Sequence, residues 1–371
     1  MPQSRTFDIA VLPGDGIGVD VIAAARAVLD AAQRRAGGFA LSYRPLDAGA
    51  AYFKETGEDI SKAAFEACGN ADAILLGAMG LPSVRYADGT EVAPHLRMRD
   101  VFQLYAGVRP VKAFPNTPRR LLDERAANID LIVLRESTEG LFYSHGRGEV
   151  IGDSEARETL RITRATSEKL FDVAFKLARR RKERAIAVTG AAGHSGQVTC
   201  VDKANVFRSM AFFRKIFDER AARNPDIKAG HNYVDAQALD LIRRPWDFDV
   251  LVMENMFGDI LSDLGGGLVG GMGMAPCAEL GDNHGLFQPA HGSAPDIAGQ
   301  GKANPTAAVL SAAMMLDWLG GRHGVESMVR AAGLIEAAVD TGFASGRLRP
   351  YEFGGTDSTQ TMTRTMIELL G

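Results

Sequence analysis

The sequence of 371 residues has few cysteines and no excess of basic residues. Its three cysteines, Cys68, Cys200 and Cys277, lie far apart. They form neither a disulfide framework nor a C-x-x-C metal site. The 42 lysines and arginines are balanced by 46 aspartates and glutamates, for a formal net charge of −4. Without a basic excess the usual electrostatic basis for nucleic-acid binding is missing, so no nucleic-acid partner is predicted.

The sequence also lacks a long apolar run. The uncharged stretch from Leu264 to Ala278 is rich in glycine and shorter than the ~20 apolar residues that a transmembrane helix needs. Near the N-terminus, Asp8 interrupts the only run that resembles part of a signal peptide. We therefore predict a soluble, cytoplasmic protein with no membrane partner.

Short apolar runs alternate with helical patterns along the chain, and this alternation predicts an α/β fold. Continuous apolar runs are typical of strands covered by helices on both faces. The predicted strands are residues 7–12, 73–77, 129–135, 185–189 and 249–254. The predicted helices include residues 166–181, 205–220, 235–243, 306–320 and 358–370.

Glycines follow the first predicted strand in the motif Gly14-Asp-Gly-Ile-Gly18. A dinucleotide fingerprint requires G-x-G-x-x-G, and residue 19 is valine, so the motif fails as a Rossmann signature. The alternative is a tight turn between strand and helix in which Asp15 acts as a cap.

Three arginines are candidates for binding carboxylates. Arg97 and Arg109 flank a segment that ends with Gly107-Val-Arg-Pro110, and Arg135 ends a predicted strand. Guanidinium groups bind carboxylates through paired hydrogen bonds, and ligands usually bind at the carboxyl ends of strands in open α/β sheets. The alternative is that all three are ordinary surface residues.

Two aspartates, Asp259 and Asp263, are four residues apart, so a helix would place both carboxylates on one face. Such a pair fits Mg²⁺ or Mn²⁺, with Asp235 as a possible third ligand. The alternative is a solvated acidic helix face. Lys203 lies just before a helical pattern. A nearby divalent cation would lower the pKa of this lysine, which could then act as a base near neutral pH. The alternative is an ordinary surface residue.

A polar, glycine-rich loop runs from Phe287 to Gly299 and is followed by Ala303-Asn-Pro305. Its backbone could wrap a nucleotide, with Asp296 accepting hydrogen bonds from ribose hydroxyls. The alternative is a long structural loop.

Taken together, these segments resemble the metal-dependent β-decarboxylating dehydrogenases, the isocitrate/isopropylmalate dehydrogenase family, and are most similar to 3-isopropylmalate dehydrogenase-like members. The resemblance covers nearly the whole chain. It is carried by three motifs in order: Val201-Asp-Lys-Ala-Asn-Val206, Asn255-Met-Phe-Gly-Asp-Ile-Leu-Ser-Asp263 and His291-Gly-Ser-Ala-Pro-Asp-Ile-Ala-Gly299.

The resemblance implies a two-domain α/β fold that is not a Rossmann fold. A discontinuous large domain, residues 1–105 and 270–371, would bind the cofactor. A middle domain, residues 106–269, would hold the metal site and the dimer interface. The protein would be a homodimer whose two active sites are shared between subunits.

The resemblance also implies roles for individual residues. Lys203 of the partner subunit would be the base, and Asp235 of the partner subunit would also be catalytic. Tyr143, next to the position of the family's tyrosine, is the candidate for the catalytic proton donor. The carboxylates of the substrate would be bound by Arg97, Arg109 and Arg135. The metal, Mg²⁺ or Mn²⁺, would be held by Asp235, Asp259 and Asp263. The adenosine end of NAD would be lined by His291, Gly292, Asp296, Ile297 and Asn304.

Two positions depart from the family pattern. Where the family has a tyrosine that helps to protonate the enolate, this chain has Phe142, with Tyr143 next to it. In an extended segment, neighbouring side chains point to opposite faces, so Tyr143 would need a turn to replace the missing hydroxyl. Where the family has Phe-Glu-Pro, this chain has Gln288 in place of the glutamate.

The implied reaction is NAD-dependent oxidative decarboxylation of a 3-substituted malate. The family recognises the C3 substituent with residues just before the first arginine, and here these include Glu91, Ala93 and Pro94. The Ser and Asn of isocitrate enzymes and the leucines of isopropylmalate enzymes are both absent at these positions, and the pocket that remains is apolar. The first choice of substrate is 3-isopropylmalate, with tartrate/D-malate and isocitrate as alternatives. A catalytically silent regulatory subunit on the same fold is the competing hypothesis, which the retained metal and base residues disfavour.

Overall fold

A computed structural model describes residues 5–371 of the protein. The chain forms two compact units. The first contains residues up to Leu104, Phe114–Pro118 and Gly270–Gly371, and the second contains Tyr105–Ala113 and Arg119–Val269. The cofactor-binding and dimerisation roles expected for the two domains stay predictions.

Strands and helices alternate through both units. The first part of the chain forms β1 (Arg5–Gly14), α1 (Gly18–Ala36), β2 (Phe39–Pro45), α2 (Ala50–Thr56), α3 (Lys62–Asn70), β3 (Ala73–Ala78) and α4 (Pro94–Val101). The middle part forms β4 (Ala106–Lys112), β5 (Asp130–Glu136), β6 (Glu149–Ile151), β7 (Glu155–Arg157), α5 (Arg164–Thr189), β8 (Gln197–Asp202), α6 (Arg208–Ala221), β9 (Lys228–Tyr233), α7 (Val234–Arg243), β10 (Val250–Met253) and α8 (Asn255–Leu268). The last part forms β11 (Pro276–Leu280), β12 (Gly285–Pro289), α9 (Thr306–His323), α10 (Glu326–Ala344) and α11 (Thr359–Leu369). Within residues 5–371, none of the helices combines the length and the apolar character needed to cross a membrane.

The first unit contains strands in the order β2-β1-β3-β12-β11. The first four of these are parallel to one another, and β11 is antiparallel to β12. Every residue of β3 is buried, as expected for a parallel strand with helices on both faces. The α/β class predicted from the sequence is confirmed.

The second unit contains strands in the order β4-β5-β10-β8-β9. Strands β5, β10, β8 and β9 are parallel, and β4 is antiparallel to β5. Apolar residues of β4, β5, β10 and β8 form one core with α7 and α8, which includes Leu131, Val133, Leu251, Met253 and Leu261. The parallel strands therefore end at one edge of the sheet, and the loops that follow them meet there.

The strand predicted at residues 185–189 is wrong, because this segment is the last part of α5. The apolar side chains of Ile186 and Val188 are exposed rather than buried in a sheet. The helix continues until Gly190, which adopts the left-handed conformation with φ +77°. The place next to β10 in the sheet is taken by β8 instead.

The turn between β1 and α1 is held by Asp15, which is buried. Its carboxylate accepts hydrogen bonds from the backbone N–H groups of Ala50, Ala51 and Gly80, each at 2.8 Å. No side chain caps the start of α1. The expected tight turn is present, but Asp15 caps α2 rather than the helix that follows it.

Candidate active site

The parallel strands of the second unit deliver the candidate residues to one edge. Arg135 lies near the end of β5, α8 begins shortly after β10, Lys203 directly follows β8, and Asp235 is the second residue of α7, after β9. Neighbouring strands are about 4.8 Å apart, so residues that follow adjacent strands lie side by side. The strand order therefore places Arg135 beside α8 and Lys203 beside Asp235. Ligands usually bind at such an edge.

Arg135 is almost fully buried, and its guanidinium faces α8. It donates one hydrogen bond to the carboxylate of Asp259 and another, 2.7 Å long, to Oδ1 of Asn255. These two partners are four residues apart and so lie on one face of the helix. Gly258 permits the close approach, because a Cβ atom there would lie 2.6 Å from Cβ and Cγ of Arg135. The buried charge is thereby paired, as such a charge must be.

Arg109, on β4, is the second buried arginine at this edge. Its Nη1 donates to Oγ of Ser262 over 2.7 Å. Its guanidinium nitrogens lie 3.4 Å from Oδ1 of Asp259 and 3.6 Å from Oδ1 of Asp263. Burial raises the pKa of the Asp263 carboxyl, an effect that Arg109 opposes and Asp259 reinforces. Four of the predicted residues are therefore brought together: Arg109, Arg135, Asp259 and Asp263.

The two aspartates have the right chemistry for a divalent cation. Their side chains are 51% and 60% exposed, so their oxygens are accessible. Carboxylate oxygens are the donors that Mg²⁺ and Mn²⁺ prefer. Between residues 5 and 371, no group of three or more His, Cys, Asp or Glu side chains is placed to hold a metal ion.

Lys203 and Asp235 form an ion pair within the chain, with Nζ 2.6 Å from Oδ1. This hydrogen bond lowers the pKa of the Asp235 carboxyl. The ring of Tyr233 lies nearby, with Lys203 Nζ 6.0 Å and the Arg214 guanidinium 5.0 Å from its centre. Arg214 in turn donates two hydrogen bonds of 2.7 Å to the buried Asp202, which anchors the chain next to Lys203. The lysine is therefore held by a fixed set of neighbours.

The segment after Arg135 contains the kind of turn that Tyr143 would need in order to be re-aimed. Phe142 and Tyr143 lie in a 3-10 helix that begins directly after Gly140, where φ is +68°. The ring centre of Phe142 is 5.4 Å from the guanidinium carbon of Arg135, whereas that of Tyr143 is 3.9 Å from the guanidinium carbon of Arg161. Gly140 permits this turn, because glycine readily adopts a positive φ. Phe142 therefore lies beside Arg135, and the role of Tyr143 stays a prediction.

Buried carboxylates that the sequence analysis missed follow Arg135. Glu136 accepts hydrogen bonds from the backbone N–H groups of Thr138 and Glu139, and burial raises its pKa to about 7. Glu139 accepts two hydrogen bonds from Thr163, at 2.7 and 2.8 Å. The two acids fix the turn after β5 and tie it to the start of α5.

Arg97 lies in the first unit, on α4. Its Nη2 donates to Oδ1 of Asp59 over 3.3 Å, and its guanidinium lies 4.9 Å from the ring centre of Phe65. Two residues later Arg99 is buried, with Nη2 3.0 Å from Oε1 of the buried Glu279. No local sequence pattern reveals Arg99, because its partner Glu279 is remote in sequence.

The loop after β12, also in the first unit, packs on the turn after β1. The carbonyl oxygen of Ser293 accepts a 2.7 Å hydrogen bond from the N–H of Ile17, and the Ser293 hydroxyl donates to the carbonyl of Gly80. A Cβ atom at Gly16 would lie 2.0 Å from that Ser293 carbonyl oxygen. Since β1, β3 and β12 are parallel, this contact lies at the carboxyl edge of their sheet, a common ligand-binding position.

His291 contributes a buried polar atom to this loop. Its Nδ1 lies 2.9 Å from the carbonyl oxygen of Gly292 and must be the donor. Burial lowers the pKa of His291, which favours the neutral ring, so Nε2 is an acceptor. Nε2 is buried and has no hydrogen-bond partner among residues 5–371. Such an atom fits a ligand that offers an N–H or O–H donor.

Asn304 is the second buried polar residue near the loop. Its Oδ1 accepts a 3.1 Å hydrogen bond from the N–H of Thr306, and its Nδ2 donates over 2.9 Å to Oε2 of Glu352. Asp296 is exposed, and Ile297 is half-buried. A Cβ atom at Gly292 would meet nothing within 4 Å. The predicted cofactor residues thus lie in one stretch of the first unit, and their binding role stays a prediction.

Comparisons with known proteins agree with this arrangement. Residues 8–370 match the family model described as isocitrate/isopropylmalate dehydrogenase. The chain belongs to this family. A 3-isopropylmalate dehydrogenase of Heyndrickxia coagulans is 40% identical over 98% of this chain and 96% of its own length. A 3-isopropylmalate/3-methylmalate dehydrogenase of Methanocaldococcus jannaschii is 39% identical over 95% of this chain and 96% of its own.

The fold of this chain is also similar to that of a solved structure. The crystal structure of isocitrate dehydrogenase from Methylococcus capsulatus matches with a TM-score of 0.83 and 33% identity, over 98% of this chain and 99% of that one. Family membership makes this chain a decarboxylating dehydrogenase. The resemblance drawn from the sequence motifs is confirmed.

The contact between Gly258 and Arg135 predicts the outcome of a matched pair of substitutions in this dehydrogenase. Gly258→Ala should lower kcat/KM by about tenfold or more, because the new methyl group must displace Arg135 or α8. Gly267→Ala is the control on the same helix, where a Cβ atom would meet nothing within 4 Å. It should keep full activity and raise the unfolding temperature slightly through better helix propensity. Equal activity of the two variants would contradict the prediction.

Proposed function

We propose that the protein catalyses the NAD-dependent oxidative decarboxylation of a 3-substituted malate with Mg²⁺ or Mn²⁺, and that 3-isopropylmalate is its substrate. The observation that carries this proposal is the cluster of Arg109, Arg135, Asp259 and Asp263 at the carboxyl edge of the second unit's sheet. Two guanidinium groups suit carboxylates, and two accessible carboxylates suit a divalent cation.

Charge balance favours a dianionic substrate and a divalent cation together. The cluster has two positive and two negative side chains, so it is neutral as it stands. A malate-type substrate adds two negative charges, and the cation adds two positive charges. Binding of either one alone would leave uncompensated charge beside the buried guanidinium groups, which is costly.

The chain's own residues account for binding and proton transfer. The guanidinium groups would hold the substrate carboxylates through paired hydrogen bonds. Lys203 Nζ, after losing a proton to solvent, would take the proton of the substrate hydroxyl, and the positive charge of a nearby cation would favour this neutral form of the lysine. Asp235, 2.6 Å from Nζ, would hold the amine in place. When bound, the cation supplies Lewis-acid assistance at the hydroxyl oxygen, and NAD supplies the hydride acceptor. The resulting 2-oxo acid carries a carboxylate β to its ketone and is therefore prone to lose CO₂.

An exposed apolar stripe supports the proposal of a homodimer with shared sites. Met256 and Ile260, four residues apart on α8, are 38% and 60% exposed. On the neighbouring α7, Leu239 and Ile242 are 54% and 45% exposed. Exposed apolar side chains grouped on two packed helices favour an interface. The α8 stripe adjoins Asp259 on the helix surface, so a second copy docked there would bring its own residues close to the metal ligands.

The family relatives limit the range of substrates that can be proposed. Their names include 3-isopropylmalate, 3-methylmalate and isocitrate dehydrogenases. All three substrates are malates with a substituent at C3, so the shared part of the site would recognise the malate portion. Tartrate, D-malate and isocitrate remain the alternatives to 3-isopropylmalate. The preference for NAD rests on Asp296, whose negative charge would repel the 2′-phosphate of NADP.

A substrate panel tests this proposal directly. NADH formation is followed by absorbance with Mg²⁺ or Mn²⁺ and each of 3-isopropylmalate, D-malate, tartrate and isocitrate, and again with NADP. The highest kcat/KM is expected with 3-isopropylmalate and NAD, and removal of the metal with a chelator should abolish turnover. Inactivity with every substrate would favour the silent-subunit hypothesis. Comparable efficiency with both dinucleotides would overturn the NAD preference.

Subunit mixing tests the shared site. Lys203→Ala and Asp259→Asn homodimers should each be nearly inactive, and subunit exchange should restore roughly a quarter of wild-type activity. Half of the dimers become mixed, and one site in each mixed dimer receives both intact residues. As a control, mixing Asp259→Asn with Asp263→Asn should restore nothing, because both carboxylates come from the same α8. No recovery in the first mixture, despite proven exchange, would show that Lys203 and Asp259 serve one site from one chain.

Tyr143→Phe tests the proposed proton donor. The substitution removes the hydroxyl and keeps the ring that stacks on Arg161 and Arg147, so the local packing should survive. If Tyr143 protonates the intermediate, kcat should fall by about 10²–10⁴-fold. An unchanged kcat on the best substrate would exclude that role. In that event Phe142→Tyr, which places a hydroxyl near Arg135, should speed decarboxylation of the 2-oxo acid.

A further inference from the structure

Glu352, in the C-terminal part of the first unit, reaches into the glycine-rich segment before β11. Its Oε1 accepts a 3.1 Å hydrogen bond from the backbone N–H of Gly273. A Cβ atom at Gly271 or Gly273 would lie 2.3 or 2.2 Å from the Glu352 carboxylate oxygens. A side chain at either position would have to displace the Glu352 carboxylate, so the contact as it stands depends on both glycines.

The same carboxylate fixes the orientation of the Asn304 amide. Oε2 of Glu352 accepts from Asn304 Nδ2 over 2.9 Å, and the N–H of Thr306 donates to Asn304 Oδ1 over 3.1 Å. The second Nδ2 hydrogen faces Sδ of Met274, 3.4 Å away. Because a carboxylate accepts and a backbone N–H donates, the amide has only one orientation that satisfies both neighbours. The remaining hydrogen-bonding capacity of the amide is an acceptor lone pair on Oδ1.

Glu352 also influences His291. Its negative charge raises the pKa of that ring, against the larger lowering caused by burial. The buried Nε2 of His291 is itself an acceptor, as its contact with Gly292 shows. This part of the first unit therefore presents two neutral acceptors and one carboxylate. A ligand with N–H and O–H donors fits such groups, and a phosphate does not.

We infer that Glu352 is a positioning residue of the proposed cofactor site: it holds the Asn304 amide with its oxygen available to the adenosine part of NAD, and its charge disfavours a 2′-phosphate. This inference rests on the proposed function, because it takes a nicotinamide dinucleotide as the ligand. It assigns to the C-terminal part of the chain a share in cofactor choice that is separate from the share of Asp296.

Two substitutions of Glu352 separate its positioning of the Asn304 amide from the effect of its charge on a 2′-phosphate. Both are tested by direct measurement of dinucleotide binding. NADH and NADPH are titrated by their own fluorescence into the full-length protein, with Glu352→Ala and Glu352→Gln as the variants. Glu352→Ala removes the acceptor and the charge, and it should raise the Kd of NADH about tenfold, the usual size for a hydrogen bond to a charged group. Glu352→Gln removes the charge but keeps one acceptor oxygen. It should raise the Kd of NADH less and shift the NADPH-to-NADH affinity ratio towards NADPH by about threefold or more.

A matched control removes an exposed glutamate charge elsewhere in the first unit. Glu66→Gln, at a surface pair with Lys62, should leave both dinucleotide affinities unchanged. In the Glu352 variants the KM for the hydroxy acid should also stay unchanged, which general damage to the fold would not allow. An NADH Kd in Glu352→Ala within about twofold of the wild type, or an unmoved affinity ratio in Glu352→Gln, would overturn this inference alone. Failure of the wild type to bind either dinucleotide would overturn the proposed cofactor as well.

Discussion

A buried guanidinium must find partners, and this requirement on Arg135 organises the second unit. Its charge sits at the end of a central parallel strand with almost no exposure to water, so α8 has to supply the oxygens that stabilise it. Gly258 lets the helix come close enough. Once α8 is fixed by this contact, the directions of its other side chains are fixed too. Asp263 then faces Arg109, and the Met256 and Ile260 stripe faces outward.

Within one chain, the charged groups at this edge form two separate sets of ion pairs. Asp259 is engaged by both arginines, and Asp235 is engaged by Lys203. Breaking the first set costs more free energy than breaking the second, because the arginines are buried while Asp235 is largely exposed. Exchanging the exposed partner is therefore easier than exchanging the buried ones. In the proposed dimer this difference favours rearrangement of the Lys203–Asp235 pair. Arg109 and Arg135 would keep their contacts with α8.

The sequence predicted those features that depend on local spacing. The four-residue interval between Asp259 and Asp263 and the apolar strands needed no tertiary information, and both appear in the structure. The exposed end of α5 was mistaken for a strand because its residues favour strands locally, whereas the sheet position went to β8. The partners of Asp15 and Arg99 lie far away in sequence, so no local pattern reveals them. The turn after Gly140 depends on a backbone angle that residue type permits but does not dictate.

The direction of hydrogen bonds in the C-terminal part of the first unit limits which ligands can bind there. A neutral histidine whose Nδ1–H is already used, and an amide whose N–H groups are already used, can each offer only an acceptor. A nearby carboxylate makes the same region unfavourable for anions, although net charge alone would not reveal this. Adenosine carries N–H and O–H donors, whereas a 2′-phosphate replaces one donor with negative charge. In the proposed NAD site, the direction of these hydrogen bonds would therefore favour the unphosphorylated ribose, as would the charge of Asp296.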